Sequence, residues 1–173
     1  MAKIIYKEGL EGQNRFESIE GIEIELLNGQ KALIYPKYSE EVMLEKKEIP
    51  YYIEDYLTEF EALKKTENLE ATGELFACHS PATKFAALFR SDKHGIFALP
   101  TLLAAMEIQD QKEVIDRLAK TIEGADLLRD FTSDIWSCSR YSGGFGWVAV
   151  GGLGVTGKGC LYGFNLVVPT ILY

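Results

Sequence analysis

The chain has 173 residues, 47% of them hydrophobic, and a formal net charge of −8, values typical of a folded globular protein. A pI near 4.9 argues against a phosphate-backbone partner, so we expect no binding to nucleic acid. The sequence contains no apolar run of about 18 residues and no signal-peptide core, so we expect cytoplasmic synthesis without membrane insertion.

The N-terminal part predicts a β-hairpin followed by a helix. Residues 22–26 alternate between apolar side chains and glutamates, as in a half-buried strand. Asn28-Gly29 predicts a type I′ turn, after which residues 32–35 form the second strand. Apolar residues recur at helical spacing from Tyr51 to Lys65, which predicts a helix there.

Three further helices are expected in the middle of the chain. Ser80-Pro81 is a cap followed by proline at the first helical position. Pro100 is expected to open a short helix over residues 101–106. Asp110 resembles the first residue of a capping box and heads a helix that Gly124 is expected to end.

The last third of the chain is glycine-rich, aromatic and nearly uncharged. Residues 147–150 and 160–168 have strand composition and predict antiparallel strands, the second buried on both faces. Residues 151–159 are expected to form a turn or loop between them.

This glycine run matches two nucleotide-binding patterns. Residues 152–157 spell G-x-G-x-x-G, and residues 152–158 spell the G-x-x-x-x-G-K of a phosphate loop. Both patterns need a helix after the glycines, whereas strand composition follows here. Gly159 stands where a magnesium-binding Ser or Thr is needed, and no acidic residue follows Asp134. We therefore expect no nucleotide and no other cofactor.

The thiols and imidazoles suggest little metal or catalytic chemistry. The three cysteines, Cys78, Cys138 and Cys160, lack C-x-x-C spacing and are expected to be buried free thiols in a reducing compartment. The adjacent pair Cys78-His79 cannot easily aim at one metal ion, and the other histidine is His94, so we expect no metal site. A thiol-dependent enzyme that uses Cys78 and His79 stays open as a minor alternative.

The tail carries a family resemblance. Residues 134–150, DIWSCSRYSGGFGWVAV, resemble the W-S-S-T-E-Y-S signature and the following A-W-x-V strand of a bacterial group. The group includes the Lcl C-terminal domain family and the fibrobacter-type paralogous domains. Residues 98–101 stand where these families have R-L-P-T, and residues 165–170 resemble their closing Y-x-V-R-P-V strand. Two departures are Arg140 in place of glutamate and Val168 in place of arginine.

The resemblance implies an α+β, C-type-lectin-like fold with short antiparallel strands, two or more helices and long loops over residues 70–173. The N-terminal hairpin and helix, residues 1–69, would be a segment packed on this domain. We expect the signature to act as scaffold, because large apolar anchors and local serine hydrogen bonds stabilise irregular segments. The scaffold residues are Pro100, Trp136, Ser137, Ser139 and Trp147.

The resemblance also implies ligand binding by C-terminal loops, without catalysis. Aromatic and cationic side chains suit such binding, and the candidates are Arg140, Tyr141, Phe145, Lys158 and Tyr162. Tyr162 in a strand core and Lys158 on a solvated turn are the alternatives. Residues 141–145 form either a turn or a ligand-facing loop.

The ligand itself is not specified by the sequence. A glycan and a protein both fit, and the second hypothesis is a structural or assembly component that self-associates into a homo-oligomer. The lack of a secretion signal favours a phage or prophage origin, with association to the virion.

Overall fold

The computed structural model describes residues 2–43, 57–68, 80–128, 134–141, 145–151, 155–160 and 163–173. Its helices are α1 (Glu59–Lys64), α2 (Pro81–Ala86), α3 (Leu102–Asp110) and α4 (Lys112–Ala119). Its strands are β1 (Lys3–Tyr6), β2 (Ile19–Glu25), β3 (Lys31–Ile34), β4 (Ser39–Met43), β5 (Arg90–Ser91), β6 (Gly95–Ile96), β7 (Ile135–Arg140), β8 (Phe145–Val150), β9 (Val155–Cys160), β10 (Phe164–Val167) and β11 (Thr170–Leu172). The combination of helices with several sheets confirms the α+β prediction.

The expected hairpin lies at the centre of a four-stranded antiparallel sheet with the order β1-β2-β3-β11. Ile24 lies opposite Ala32, and both are buried on one face, as the alternation predicts. The turn differs from the expected two-residue type I′ turn. The N–H of Leu26 donates to the carbonyl of Gln30 (2.9 Å), which closes a three-residue loop with Gly29 at φ 85°. Three-residue hairpin loops place glycine in this left-handed conformation.

The tail contributes most of a five-stranded sheet with the order β4-β10-β7-β8-β9. β7, β8 and β9 are successive antiparallel strands. Two expectations for the tail are wrong. Residues 151–159, expected to be a loop, contain most of β9. The strand expected over residues 160–168 starts at Phe164, runs parallel to β7, and leaves the Phe164 side chain 64% exposed.

Strand β9 has the composition of a loop because one of its faces packs closely against Trp136 and Val150. A Cβ atom on Gly159 would stand 2.8 Å from the Trp136 ring, and one on Gly157 would stand 2.7 Å from Val150. Side chains do not approach each other so closely, so these neighbours occupy the space that larger residues would need. The glycines of β9 are therefore required by close packing, a role that glycine also has inside strands.

Each sheet is completed by a strand from the other part of the chain. β11 pairs with β3 in the first sheet, and β4 pairs with β10 in the second. The strand order therefore interleaves residues 1–69 with residues 70–173, whose division into two domains stays a prediction.

One predicted helix start is capped as the sequence indicates, because the Ser80 hydroxyl accepts from the N–H of Thr83 (3.5 Å). The helix expected over residues 101–106 is α3, which begins one residue later and continues to Asp110. Its N-cap is Thr101, whose hydroxyl accepts from the N–H of Ala104 (3.2 Å). The expected cap at Asp110 is wrong, because Asp110 is the last residue of α3 and α4 begins two residues later. The turn between α3 and α4 is thus shorter than the capping pattern suggested.

The remaining helix boundaries also differ from the predictions. Of the helix expected over residues 51–65, the described part is α1, whose N-cap is Thr58, while residues 51–56 lie outside the described ranges. Gly124 has a φ of 82° but does not end α4, which stops five residues earlier. None of the described helices is long and apolar enough to cross a membrane.

Helix α3 lies between the two sheets. The main buried cluster joins residues of the first sheet, of α3 and of the second sheet: Ile22, Ile24, Ile34, Ala104, Ala105, Ile108, Ile135, Ala149 and Leu166. Helix α2 covers the opposite face of the second sheet, where Ala82 and Ala86 pack with Trp136 and Val148. The second sheet is therefore covered by helices on both faces.

A buried carboxylate holds three elements of the first sheet together. Glu23 accepts from Lys3 (3.3 Å) and Lys31 (3.4 Å) through one oxygen, and from the hydroxyl of Tyr173 through the other. Burial alone would raise the pKa of Glu23, but the hydrogen bonds from Tyr173, Lys3 and Lys31 outweigh it and lower the pKa below 4.5.

Trp136→Ala is expected to lower the free energy of unfolding by about 3–5 kcal/mol, because a fully buried ring leaves a cavity. Gly159→Ala is expected to cost about 1–3 kcal/mol by overpacking against the same ring. Urea denaturation measures both, with the exposed Phe164→Ala as a control expected within about 0.5 kcal/mol of the wild type. An unchanged midpoint for Trp136→Ala would show that this ring is not part of the core.

Glu23→Gln is expected to lower the free energy of unfolding at pH 7 by about 1–2 kcal/mol, since charged hydrogen bonds become neutral ones. A carboxyl whose pKa is lowered by folding stabilises above its unfolded pKa, and this contribution disappears as the pH falls through the folded pKa. The deficit of the variant should therefore shrink below pH 4.5. Denaturation midpoints from pH 7 to pH 2 test this, and a deficit that stays constant would contradict it.

Candidate functional site

The candidate side chains of the tail lie on neighbouring strands of the second sheet. Tyr141 follows β7, Phe145 begins β8, and Lys158 lies in the middle of β9. The structure brings Tyr141 and Lys158 together, with Nζ 3.8 Å from the centre of the ring. Arg140 ends β7, and only its backbone is described; Tyr162 lies outside the described residues.

Tyr141 and Lys158 line an open cleft of about 670 Å³ between the start of α1, helix α3 and the strand β9. We call it the Tyr141–Lys158 cleft. Its lining residues are Thr58, Glu59, Met106, Tyr141, Trp147, Val155, Thr156, Gly157 and Lys158. Phe145 is 42% exposed but does not line the cleft, so the structure separates it from the other two candidates.

Two aromatic rings form the wall of the cleft. Tyr141 and Trp147 meet edge to face at 5.2 Å, a favourable arrangement for ring quadrupoles. The indole N–H of Trp147 donates to the carbonyl of Leu57 (2.9 Å), just before α1. Trp147 was expected to be a scaffold residue, and here it also supplies part of the cleft surface while it is only 6% exposed.

The polar side of the cleft combines opposite charges. The hydroxyl of Thr156 donates to the carboxylate of Glu59 across the cleft. Within the described ranges no carboxylate forms an ion pair with Lys158, whose cation lies over the Tyr141 ring. Such a contact contributes about 0.5–1 kcal/mol at an exposed position, so it leaves the ammonium group able to bind an anion as well.

Thr58 has a different role from its neighbours in the cleft. Its hydroxyl accepts from the N–H of Glu61 (3.3 Å), while the Glu61 carboxylate accepts from the N–H of Thr58 (2.8 Å). The N–H of Thr58 and, as the second cause, its hydroxyl donate to the Glu61 carboxylate and lower its pKa. This capping box fixes the first turn of α1 and thereby the position of Glu59.

The signature serines tie the cleft to the rest of the sheet. The hydroxyl of Ser137 donates to the carbonyl of Trp147 (2.8 Å) and accepts from the N–H of Ser139 (3.1 Å). The register of β7 against β8 shifts in this segment, so the side-chain bonds satisfy backbone groups at an irregularity. The N–H of Cys138 donates to the carbonyl of Pro100 (2.8 Å), which fastens the start of α3 to β7.

In the described part of the glycine run, the residues that match the nucleotide-binding patterns form a strand. Gly157, Lys158 and Gly159 pair with β8 in an unbroken register. The described residues after them form the end of β9, the strands β10 and β11 and short connections, whereas a phosphate loop needs the N-terminus of a helix at that point. The first glycines of both patterns, Gly152 and Gly154, lie outside the described residues.

Sequence reasoning missed Glu59, Met106 and Thr156. Alternation along VTGKGC would have placed Thr156 on the same face as Lys158, had this segment been interpreted as a strand. Glu59 and Met106 come from helices distant in sequence, and no local pattern marks them as neighbours of β9. Among the described residues, no group of three or more His, Cys, Asp or Glu could hold a metal ion.

Comparisons with known proteins leave the family open. No protein-family model matches the chain, and no curated protein or solved structure matches it either.

The two described cysteines differ in environment. Cys138 is buried, and desolvation raises the pKa of its thiol to about 11. Cys160 is exposed, so the expectation that all three thiols are buried is wrong. Its position at the end of β9, which lies at the edge of the sheet among the described strands, accounts for the exposure. Cys78 and His79 lie outside the described residues.

Cys160 is therefore expected to react with a thiol reagent in the native protein, whereas Cys138 should react only after unfolding. Mass spectrometry after brief labelling at pH 8 should show one label fewer in Cys160→Ser and an unchanged count in Cys138→Ser. Loss of a native-state label in Cys138→Ser would contradict the burial of that strand face.

Proposed function

We propose that this protein is a non-enzymatic recognition module that binds its ligand in the Tyr141–Lys158 cleft. The observation that carries the proposal is the convergence of an aromatic pair, a cation without a carboxylate partner among the described residues, and a carboxylate in one open cleft. Binding sites combine apolar and aromatic surface with a few placed polar groups in this way. A glycan and a protein segment are both compatible with such a surface.

The proposal includes a C-type-lectin-like fold for residues 70–173. Contacts among the three resembling motifs support it. Ala98 pairs with Thr170 in a short antiparallel bridge, and Pro100 accepts the hydrogen bond from Cys138. The motifs that define the resemblance therefore meet in one region of the structure. A phage-related origin with association to the virion is part of the same proposal.

Tyr141→Ala and Lys158→Ala are expected to abolish binding to a ligand found by screening immobilised glycans and peptides. Each truncation removes a side chain that lines the cleft and should lower stability by about 0.5–1.5 kcal/mol, through the ring pair or the cation–ring contact. Phe145→Ala is the matched control, because that aromatic ring is exposed on the same sheet outside the cleft. Surface plasmon resonance with each variant, after a thermal unfolding check, gives the result.

Retention of affinity in both cleft variants, together with its loss in Phe145→Ala, would place the ligand elsewhere and contradict the proposed site.

Self-association is a second candidate function, favoured by exposed apolar side chains. Leu27, Phe60, Leu88 and Phe164 are each more than 60% exposed. Large exposed apolar groups often mark interaction surfaces when they are contiguous. Light scattering at increasing protein concentration separates the candidates, because a recognition module without self-association keeps a constant mass.

A further inference from the structure

Among the described strands, β9 lies at the edge of the second sheet, and its backbone orientation follows from its pairing with β8. The N–H of Tyr141 donates to the carbonyl of Phe145, so the backbone groups of Phe145 point towards β7. Backbone groups alternate in direction along a strand, so Gly146, Val148 and Val150 point towards β9. Their partners on β9 are Gly159, Gly157 and Val155 respectively.

The intervening residues of β9 therefore direct their backbone groups away from the sheet. These residues are Thr156, Lys158 and Cys160. The carbonyl of Cys160 accepts from the N–H of Gly163 (2.8 Å). No described strand pairs with the outer edge of β9, and no described residue accepts from or donates to the outward groups of Thr156 and Lys158.

The same two residues present their side chains to the Tyr141–Lys158 cleft. Outward backbone groups without a described partner and cleft-lining side chains thus recur together at every second residue of β9. A second strand laid on this edge would place every second side chain into the cleft. The side chain opposite Lys158 would meet a cation, and the one opposite Thr156 would lie close to the Glu59 carboxylate.

We propose that the ligand of the cleft is an extended peptide segment that adds to the edge of β9 as an antiparallel strand, with an acidic residue opposite Lys158 and a basic residue two positions later opposite Thr156. This inference rests on the proposed function, because it specifies the ligand of the same cleft.

Charge and backbone chemistry favour this occupant over the alternatives. A saccharide would leave the paired pattern of outward N–H and C=O groups unused. A second copy paired through its own β9 would bring no carboxylate to Lys158, because VTGKGC contains no acidic residue. An antiparallel peptide pairs with the outward backbone groups and with the charged side chains of the cleft. The direction of β9 requires the acidic residue of the peptide to precede the basic one.

The test uses synthetic heptapeptides with blocked ends. The matched peptide is Thr-Val-Glu-Val-Lys-Val-Thr, and its control, Thr-Val-Lys-Val-Glu-Val-Thr, has the same composition with the charges exchanged. The matched peptide is expected to bind at least about fivefold more tightly in calorimetric titration. Lys158→Glu should reverse the preference at that position, so that it binds Thr-Val-Lys-Val-Lys-Val-Thr more tightly than the wild type does.

Backbone pairing is tested by methylating single peptide nitrogens. Methylation at the Glu residue blocks a hydrogen bond to β9 and should weaken binding at least about tenfold. Methylation at the central Val, whose N–H points away from β9, should change the affinity less than about twofold. In the protein, peptide binding should slow amide hydrogen exchange at Thr156 and Lys158, while Gly157 and Gly159 are protected already in its absence.

Equal affinity for the two charge orders, or protection that appears away from β9, would overturn the inference. If a glycan binds and Tyr141→Ala abolishes it while no peptide protects Thr156, the peptide inference fails and the cleft proposal stands. If no glycan or peptide perturbs the cleft residues, both fail.

Discussion

The contact between the Trp136 ring and the backbone of Gly159 determines the arrangement of the site. The ring packs where a side chain at position 159 would stand, and Val150 packs in the same way against Gly157. Because these two positions carry no side chain, the Trp136 ring and Val150 can lie directly against the backbone of β9 on the apolar face of the sheet. With that face fixed by packing, the strand period turns Thr156 and Lys158 to the opposite face, where the cleft lies.

This arrangement couples stability to recognition through Trp147. The indole is almost fully buried, and its N–H holds the chain before α1, while one part of the ring supports Tyr141. The Ser137 hydroxyl binds the carbonyl of the same residue. The contact of Trp147 with the chain before α1 therefore holds this helix against the cleft, and it fixes the position of Glu59. A change at Trp147 would affect the fold and the cleft together. A change at Lys158 would affect the cleft and leave the fold largely as it is.

Local signals in the sequence predicted local structure well. The hairpin around Gly29 and the cap at Ser80 depend on neighbouring residues only, so one sequence is sufficient to indicate them. The cap predicted at Asp110 was wrong because only a short turn joins α3 and α4. In such a turn one acidic residue can end the first helix as well as begin the second. The loop predicted for the glycine run was wrong for a different reason. The residue that requires glycine at position 159 is Trp136, which lies on another strand.

The candidate site likewise contains residues that local sequence signals identify and residues that only tertiary packing brings in. Tyr141 and Lys158 could be selected from residue type in an almost uncharged tail, while Glu59 could not, because it approaches β9 only through tertiary packing. The packing of β9 on Trp136 can be measured by the nuclear Overhauser effect between the Trp136 ring and the α-protons of Gly159. Packing of the ring on Gly159 should give strong cross-peaks, with ring-current shifts of both α-protons. Absence of these cross-peaks, together with a flexible backbone from Gly157 to Gly159, would restore the loop interpretation and contradict this packing.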